Sequence, residues 1–158
     1  MRTLLPVSAF CLLLGACGYS PPLPEEPDID INGTYLGRIV GPDQRSALLD
    51  VTLNEQNLTV TATVTSQATG QRVTLTGTRS VYRASPVTVN ATSEVTAPDS
   101  PCERRVTERY AVAVTFYAAN GSRDEGARGS ARHEVCDPAT RLLRPVSDGT
   151  GELELIRR

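Results

Sequence analysis

The sequence LDVTLNEQNLTVTATVT, residues 49–65, holds two runs in which apolar and polar residues alternate. Leu49, Val51 and Leu53 are the apolar members of the first run, and every second residue from 58 to 64 is apolar in the second. An extended chain sends successive side chains to opposite faces, so each run predicts a strand with one apolar and one polar face. The short polar break between the runs predicts an antiparallel hairpin.

The same alternation recurs along the chain and predicts an all-β domain. Further predicted strands cover residues 31–40, 73–78, 87–95, 104–118, 127–135 and 152–156, with a short piece around Val81 and Tyr82. Seven or eight antiparallel strands that are apolar on one face must either close into a barrel or stack as a sandwich. We expect a single up-and-down barrel over residues 31–158, with a β-sandwich as the alternative. Polar and charged residues on the outer face exclude a barrel that spans a membrane.

The N-terminal 16 residues have the composition of a secretory signal peptide. One positive charge at Arg2 precedes an apolar run from residue 4 to residue 14, and two small residues follow. The apolar run is much shorter than the roughly 20 residues that a spanning helix needs. We therefore expect an exported protein.

The stretch Leu14-Gly15-Ala16-Cys17 resembles the lipobox of bacterial lipoproteins. The resemblance implies cleavage before Cys17, acyl chains on that cysteine, and stable attachment to a membrane of the cell envelope. The residue after it, Gly18, is not aspartate, which favours the outer membrane where a bacterium has two. Residues 17–30 are rich in proline and acidic residues and predict an extended tether. An ordinary signal peptide that happens to contain Cys17 is the alternative.

If the lipobox is cleaved and acylated as described, two cysteines of the mature chain remain available to form a disulfide. Cys11 leaves with the signal peptide and Cys17 takes the lipid, so Cys102 and Cys136 are predicted to form a disulfide in an oxidising compartment. A hairpin centred on Asn120-Gly121 places Cys102 opposite residue 139, three positions from Cys136. With one histidine in the chain, the sequence predicts neither a metal site nor a cofactor.

The charge pattern argues against nucleic acid as a partner. The formal net charge is -2, and all 16 basic residues are arginines interspersed with the 18 acidic residues. No basic stripe is interleaved with aromatic residues, which a nucleic-acid-binding surface would require.

Gly33-Thr34-Tyr35, at the start of the first predicted strand, resembles the Gly-x-Trp opening of lipocalin-like and avidin-like barrels. The chain departs from that pattern by having tyrosine where the family has tryptophan. In that group a late arginine often packs over the opening aromatic residue, and the chain ends in Arg157-Arg158. The resemblance implies a small barrel.

Two side chains stand out as candidates for chemistry. Glu108 falls on the apolar face of its strand, where a carboxylate must find a partner; we expect it to pair with Arg132 or to lie at the barrel rim in water. His133 is expected to be an exposed hairpin residue, on the opposite face from Glu134. Because no serine or cysteine nucleophile sits in a recognisable turn, we expect no enzyme; a hydrolase that uses His133 is the weaker alternative.

These observations favour a membrane-tethered accessory barrel that holds a small apolar ligand. Tyr35, Glu108 and Tyr110 are the candidate ligand-binding residues. The alternative is a structural or interaction protein of the envelope with a filled core and a protein partner. An empty cavity would favour the first function, and a filled core would favour the second.

Overall fold

Nine strands are present in the computed structural model, which describes residues 29–80, 86–119 and 125–158. They are β1 Gly33–Val40, β2 Ser46–Gln56, β3 Thr59–Ser66, β4 Arg72–Arg79, β5 Thr88–Thr96, β6 Val106–Tyr117, β7 Gly126–Asp137, β8 Leu142–Pro145 and β9 Gly151–Arg157. A single 3-10 turn, Glu103–Arg105, precedes β6. The predicted signal peptide, the lipobox, all of the tether but its last two residues, the piece around Val81 and Tyr82, and Asn120-Gly121 lie outside the described residues.

Eight of the strands close into an antiparallel up-and-down barrel. Each strand from β1 to β7 pairs with the next one along the chain, and β9 pairs with both β7 and β1. The ring is therefore complete, and the sheet has no free edge along these eight strands. This closure confirms the barrel prediction, and the sandwich does not form.

The alternating residues of the sequence supply the barrel core. The buried apolar side chains on the inner face include Tyr35, Ile39, Leu49, Val51, Leu53, Val60, Ala62, Leu75, Val89, Ala91, Val114, Phe116, Leu153 and Leu155. Leu58, which the pattern also placed on the inner face, is 44% exposed because it lies in the tight turn between β2 and β3 with a positive φ of 64°.

One end of the barrel, which we call the closed end, is sealed by side chains. Ile31 and Tyr35 are almost fully buried there. The Tyr35 hydroxyl donates a hydrogen bond of 2.9 Å to the Ile31 carbonyl, and the Tyr35 ring meets the Phe116 ring edge-on. Arg157 on β9 holds the segment before β1 by donating to the Asp30 carbonyl oxygen, and it also donates to the Glu125 carboxylate. The segment that precedes β1 therefore enters at the closed end.

A short strand that the sequence did not predict extends the sheet at the other end. The predicted loop after residue 137 contains β8. It pairs with the last residues of β7, beyond Ala131, where the pairing of β7 with β9 stops. Four residues that end in a proline are too few to show alternation. The turn before β8 is held instead by Asp137, whose carboxylate accepts hydrogen bonds from the Ala139 amide, the Thr140 hydroxyl and the Arg144 guanidinium.

Cys102 and Cys136 lie at disulfide distance, as the sequence predicts, with Cα atoms 6.0 Å apart. The predicted register of the hairpin is wrong by two residues, since Tyr117 pairs with Gly126. Cys102 reaches Cys136 from outside the strand ladder, because the 3-10 turn folds the chain back with positive φ angles of 54° at Arg104 and 59° at Arg105. The bridge thus fastens a loop to the end of β7.

Two glycines allow neighbouring strands to approach closely. A Cβ atom at Gly77 would fall on the Asn90 carbonyl oxygen of β5, and one at Gly129 would fall on the Ala113 carbonyl oxygen of β6. A backbone oxygen cannot move aside as a flexible side chain can. Glycine is therefore required at both positions for the barrel to close as it does.

Candidate functional site: an apolar cavity and its polar mouth

An apolar cavity of about 240 Å³ occupies the barrel interior and opens at the end opposite the closed end. Each of the eight barrel strands contributes an aliphatic side chain to its wall, and Phe116 contributes an aromatic one. Its opening, which we call the mouth, is formed by Tyr110, His133, residues 66–71 and Asp148-Gly149. A deep apolar space that ends in a few polar groups is the usual form of a small-molecule site.

The cavity exists because small side chains face one another across three strands. Ala91 on β5 pairs with Val112 on β6, which pairs with Ala131 on β7. All three line the cavity, together with Ala62 on β3. Barrels of this size have an interior just wide enough for side chains to fill, so a row of alanine and valine leaves unfilled space.

Tyr110 and His133 form the polar side of the mouth. They are direct partners in the β6–β7 ladder, and their rings stack with centroids 4.3 Å apart and planes inclined by 11°. The Tyr110 hydroxyl donates a 2.7 Å hydrogen bond to the Glu108 carboxylate. Burial, together with that hydrogen bond and the negative charge of Glu108, raises the pKa of Tyr110 to about 12.

The imidazole of His133 has a fixed orientation. Its Nδ1 atom lies 2.9 Å from the Asp148 carbonyl oxygen, which can only accept, so Nδ1 carries the proton. The Thr150 hydroxyl bonds to both the amide and the carbonyl of His133. Nε2 is buried and has no hydrogen-bond partner among the described residues, and it lies 3.7 Å from the nearer Glu108 carboxylate oxygen. A neutral His133 therefore turns an unused acceptor toward a carboxylate.

The structure separates the three predicted ligand-binding residues. Tyr110 lines the cavity at its mouth and binds Glu108, which lies at the barrel rim and is not itself among the lining residues. Tyr35 lies at the closed end and does not line the cavity either. Tyr35 lies near the start of β1, at the end of the barrel where the chain enters. The resemblance of Gly33-Thr34-Tyr35 to the lipocalin-like opening could not show where this residue lies relative to a cavity.

Of the two alternatives given for Glu108, the pairing with Arg132 does not form, because Arg132 pairs with Glu134 at 2.9 Å on the outer face. Glu108 lies at the barrel rim with its side chain 40% exposed, which is the other alternative. One expectation is wrong. His133 is not an exposed hairpin residue, since its side chain is only 16% exposed and packs on Tyr110. The opposite orientation of His133 and Glu134 is confirmed. Alternation gave the faces correctly, but the hairpin register, which decides the partners, could not be obtained from it.

Among the described residues, Glu134 is the buried acidic side chain, and its charge is matched by neighbouring arginines. On the outer face, Arg132 and Arg109 approach its carboxylate to within 2.9 Å and 3.5 Å. Arg109 also pairs with Glu94 at 2.9 Å, which continues the row of alternating charges onto β5. With its charge matched in this way, Glu134 has no need of a ligand.

Residues 29–80, 86–119 and 125–158 contain neither a cluster of metal-binding side chains nor a membrane-spanning helix. No group of three His, Cys, Asp or Glu side chains there is arranged to hold a metal ion. The same residues include no helix with the length and apolar character needed to cross a bilayer.

In comparisons with known proteins, no family model, no curated protein and no solved structure matches this chain.

Proposed function

We propose that this chain is a lipid-anchored protein of the bacterial cell envelope whose barrel binds a small apolar ligand. The observation that carries the ligand-binding part is the open apolar cavity of about 240 Å³. The lipobox resemblance at Cys17 supports the anchor.

The cavity volume limits the size of the ligand. A dry protein cavity of roughly 150 Å³ lined by aliphatic and aromatic side chains accommodates benzene, which has six non-hydrogen atoms. Scaled in proportion, the barrel cavity accommodates about ten non-hydrogen atoms. The expected ligands are therefore bicyclic aromatic molecules or chains of eight to ten carbon atoms, not long-chain lipids.

The position of the chain entry is compatible with access to the cavity. Asp30 and Ile31 lead into β1 at the closed end, where Arg157 holds them. The mouth is at the opposite end of every barrel strand. A tether attached at Cys17 would therefore join the domain away from the mouth.

The same cavity argues against the alternative of a structural barrel that acts only through its surface. A barrel with no ligand gains stability from a filled core, since each unfilled space forgoes dispersion contacts along its walls. Ala62, Ala91 and Ala131 stand where larger apolar residues would fill the space. A site for a ligand explains this loss of packing.

The binding proposal is tested with naphthalene, which has ten carbon atoms and no polar group. Calorimetric titration should show one molecule bound per chain. Val112→Phe places a ring in the cavity and should weaken binding at least tenfold, whereas Ala113→Phe, the neighbouring position on the outer face, should not. Thermal melts establish that both variants fold. Absence of binding, or equal binding by Val112→Phe, would contradict the proposal.

The anchor is tested separately by the mass of the protein recovered from membranes. The expected mass corresponds to loss of residues 1–16 and addition of acyl chains to Cys17. The Cys17→Ser variant should remain unprocessed and unacylated. A wild-type protein cleaved elsewhere, with no acyl chain, would refute the anchor and leave the cavity proposal intact.

A further inference from the structure

When His133 is neutral, two hydrogen-bond acceptors face each other beside the mouth, and the neighbouring groups supply too few donors for them. His133 Nε2 lies 3.7 Å from a Glu108 carboxylate oxygen, and Nδ1 already holds the imidazole proton for Asp148. Tyr110 supplies one donor to the carboxylate. A carboxylate has room for about four hydrogen bonds, so most of its acceptor capacity is unused by these partners.

Two acidic side chains lie at or beside the mouth: Asp148 lines the opening, and Glu108 is bound to Tyr110 with its side chain 40% exposed. The neighbouring arginines are paired on the outer face, since Arg132, which also lines the cavity, directs its guanidinium to Glu134. Arg109, between Glu108 and Tyr110 in the sequence, pairs with Glu94 and Glu134. The mouth therefore favours a positive charge and disfavours a negative one.

The acceptor pair is adjacent to the cavity. Tyr110 and His133 both line the apolar space and also contact Glu108, so one stacked pair of rings joins the apolar wall to the carboxylate. A molecule that fills the cavity would place its exposed end beside these rings. The apolar body and the polar end of the ligand are thus specified by neighbouring parts of one site.

We infer that the ligand is a small amphiphilic amine, with an apolar body of about ten non-hydrogen atoms in the cavity and a primary ammonium group bound by Glu108. This inference rests on the proposed ligand-binding function and adds the chemistry of the head group. The ammonium supplies three hydrogen-bond donors, and the partly exposed Glu108 carboxylate has the acceptor capacity to receive them. It also provides the positive charge that offsets Glu108. An alkanoate of the same length would bring a second carboxylate to the mouth and be rejected.

The test compares three probes of similar length: 1-octylamine, 1-octanol and octanoate, each titrated calorimetrically into the full chain. The measurements are made near pH 8.5, where a primary amine is still charged and histidine side chains are ordinarily neutral, so that a histidine proton does not compete for Glu108. Octylamine should bind at least about tenfold more tightly than octanol, which is the range expected for a hydrogen bond to a charged group. Octanoate should bind most weakly.

The residue that carries the preference is tested by Glu108→Gln. This variant should bring the affinity for octylamine to within about threefold of that for octanol. Glu152→Gln is the matched control, because Glu152 lies at the same end of the barrel on the outer face of β9 and should have no effect. High salt should weaken octylamine binding alone, since the Glu108 charge is partly exposed.

The outcomes separate the two proposals. If naphthalene and octanol bind but octylamine shows no preference, or if octanoate binds as well as octylamine, the amine inference is overturned while the cavity function stands. Unchanged octylamine binding in Glu108→Gln also overturns it. If none of the probes binds, the proposed function fails, and the inference fails with it.

Discussion

The rings of Tyr35 and Phe116 meet edge-on at the closed end of the barrel, with centroids 6.1 Å apart and planes inclined by 73°. The Tyr35 hydroxyl donates to the Ile31 carbonyl, so the same residue closes the interior and ties down the segment that enters it. Only 1% of Tyr35 is exposed. The closed end, where Phe116 lines the cavity, is therefore also the place where the segment before β1 is held to the barrel.

Tyr35 gives the first prediction, which concerns stability. Tyr35→Phe keeps the ring but leaves the buried Ile31 carbonyl without its donor, and should lower the free energy of unfolding by about 1 kcal/mol. Tyr35→Ala also removes the ring and should cost about 3 to 5 kcal/mol. Denaturant titration measures both. Equal losses in the two variants would mean that the ring contributes nothing and would contradict this role.

Removal of the disulfide should loosen one side of the mouth and spare the barrel. The bond joins residues 34 apart, and its loss in the Cys102→Ser, Cys136→Ser double variant should lower stability by about 3 to 4 kcal/mol through the unfolded chain. Hydrogen exchange should quicken first in residues 97–105 and in β8, and least in β1–β4. Uniform quickening across all strands would show that the bond supports the whole barrel instead.

Ionisation of Tyr110 should be delayed and should affect stability at high pH. Its pKa of about 12 in the folded protein is above the ordinary value of 10.0, so the folded state retains a proton that the unfolded state loses. Stability should accordingly fall as the pH rises from about 10 to 12. In Tyr110→Phe this fall should be smaller. Ultraviolet titration should also show a lower Tyr110 pKa in Glu108→Gln, because the carboxylate charge is removed and the tyrosine hydroxyl is left with a neutral acceptor.

Asp137 should titrate below its ordinary range. Hydrogen bonds from the Thr140 hydroxyl and the Ala139 amide, together with Arg144, lower the pKa of its carboxyl group. The stability that it contributes is therefore present above the ordinary pKa and is lost as the pH falls through the lowered value. In Thr140→Val, NMR titration should show the Asp137 pKa closer to 3.8. An unchanged value would exclude this hydrogen bond as the cause.

Substitution of Gly129 should distort the barrel wall. A Cβ atom there would meet the Ala113 carbonyl oxygen, so Gly129→Ala forces two strands apart and should cost about 1 to 3 kcal/mol. Ser130→Ala, at the exposed neighbouring position, should change stability by less than about 0.5 kcal/mol. Thermal unfolding measures both. Similar effects in the two variants would contradict the close approach of the strands.

The sequence alone determined, for most strand residues, which side chains face inward, and that the fold is built of antiparallel strands. Closure into a barrel and not a sandwich was decided by the pairing of β9 with both β1 and β7. Alternation with a period of two depends only on the local geometry of an extended chain, so Leu49, Val51 and Leu53 could be assigned to the core without knowing their neighbours. The separation of His133 from Glu134 followed from the same rule. The small β8 strand was missed because its pairing depends on β7 and on the turn at Asp137.

The tertiary structure alone decided which residues face one another across strands. The turn between β6 and β7 opens at Tyr117 and Gly126, a shift of two residues from the predicted register, which sets Tyr110 against His133 and both beside Glu108. The same pairing aligns Ala91 and Ala131 with Val112 and leaves the cavity. Register is set by turn geometry and by packing between distant strands, so a pattern confined to one strand cannot reveal it.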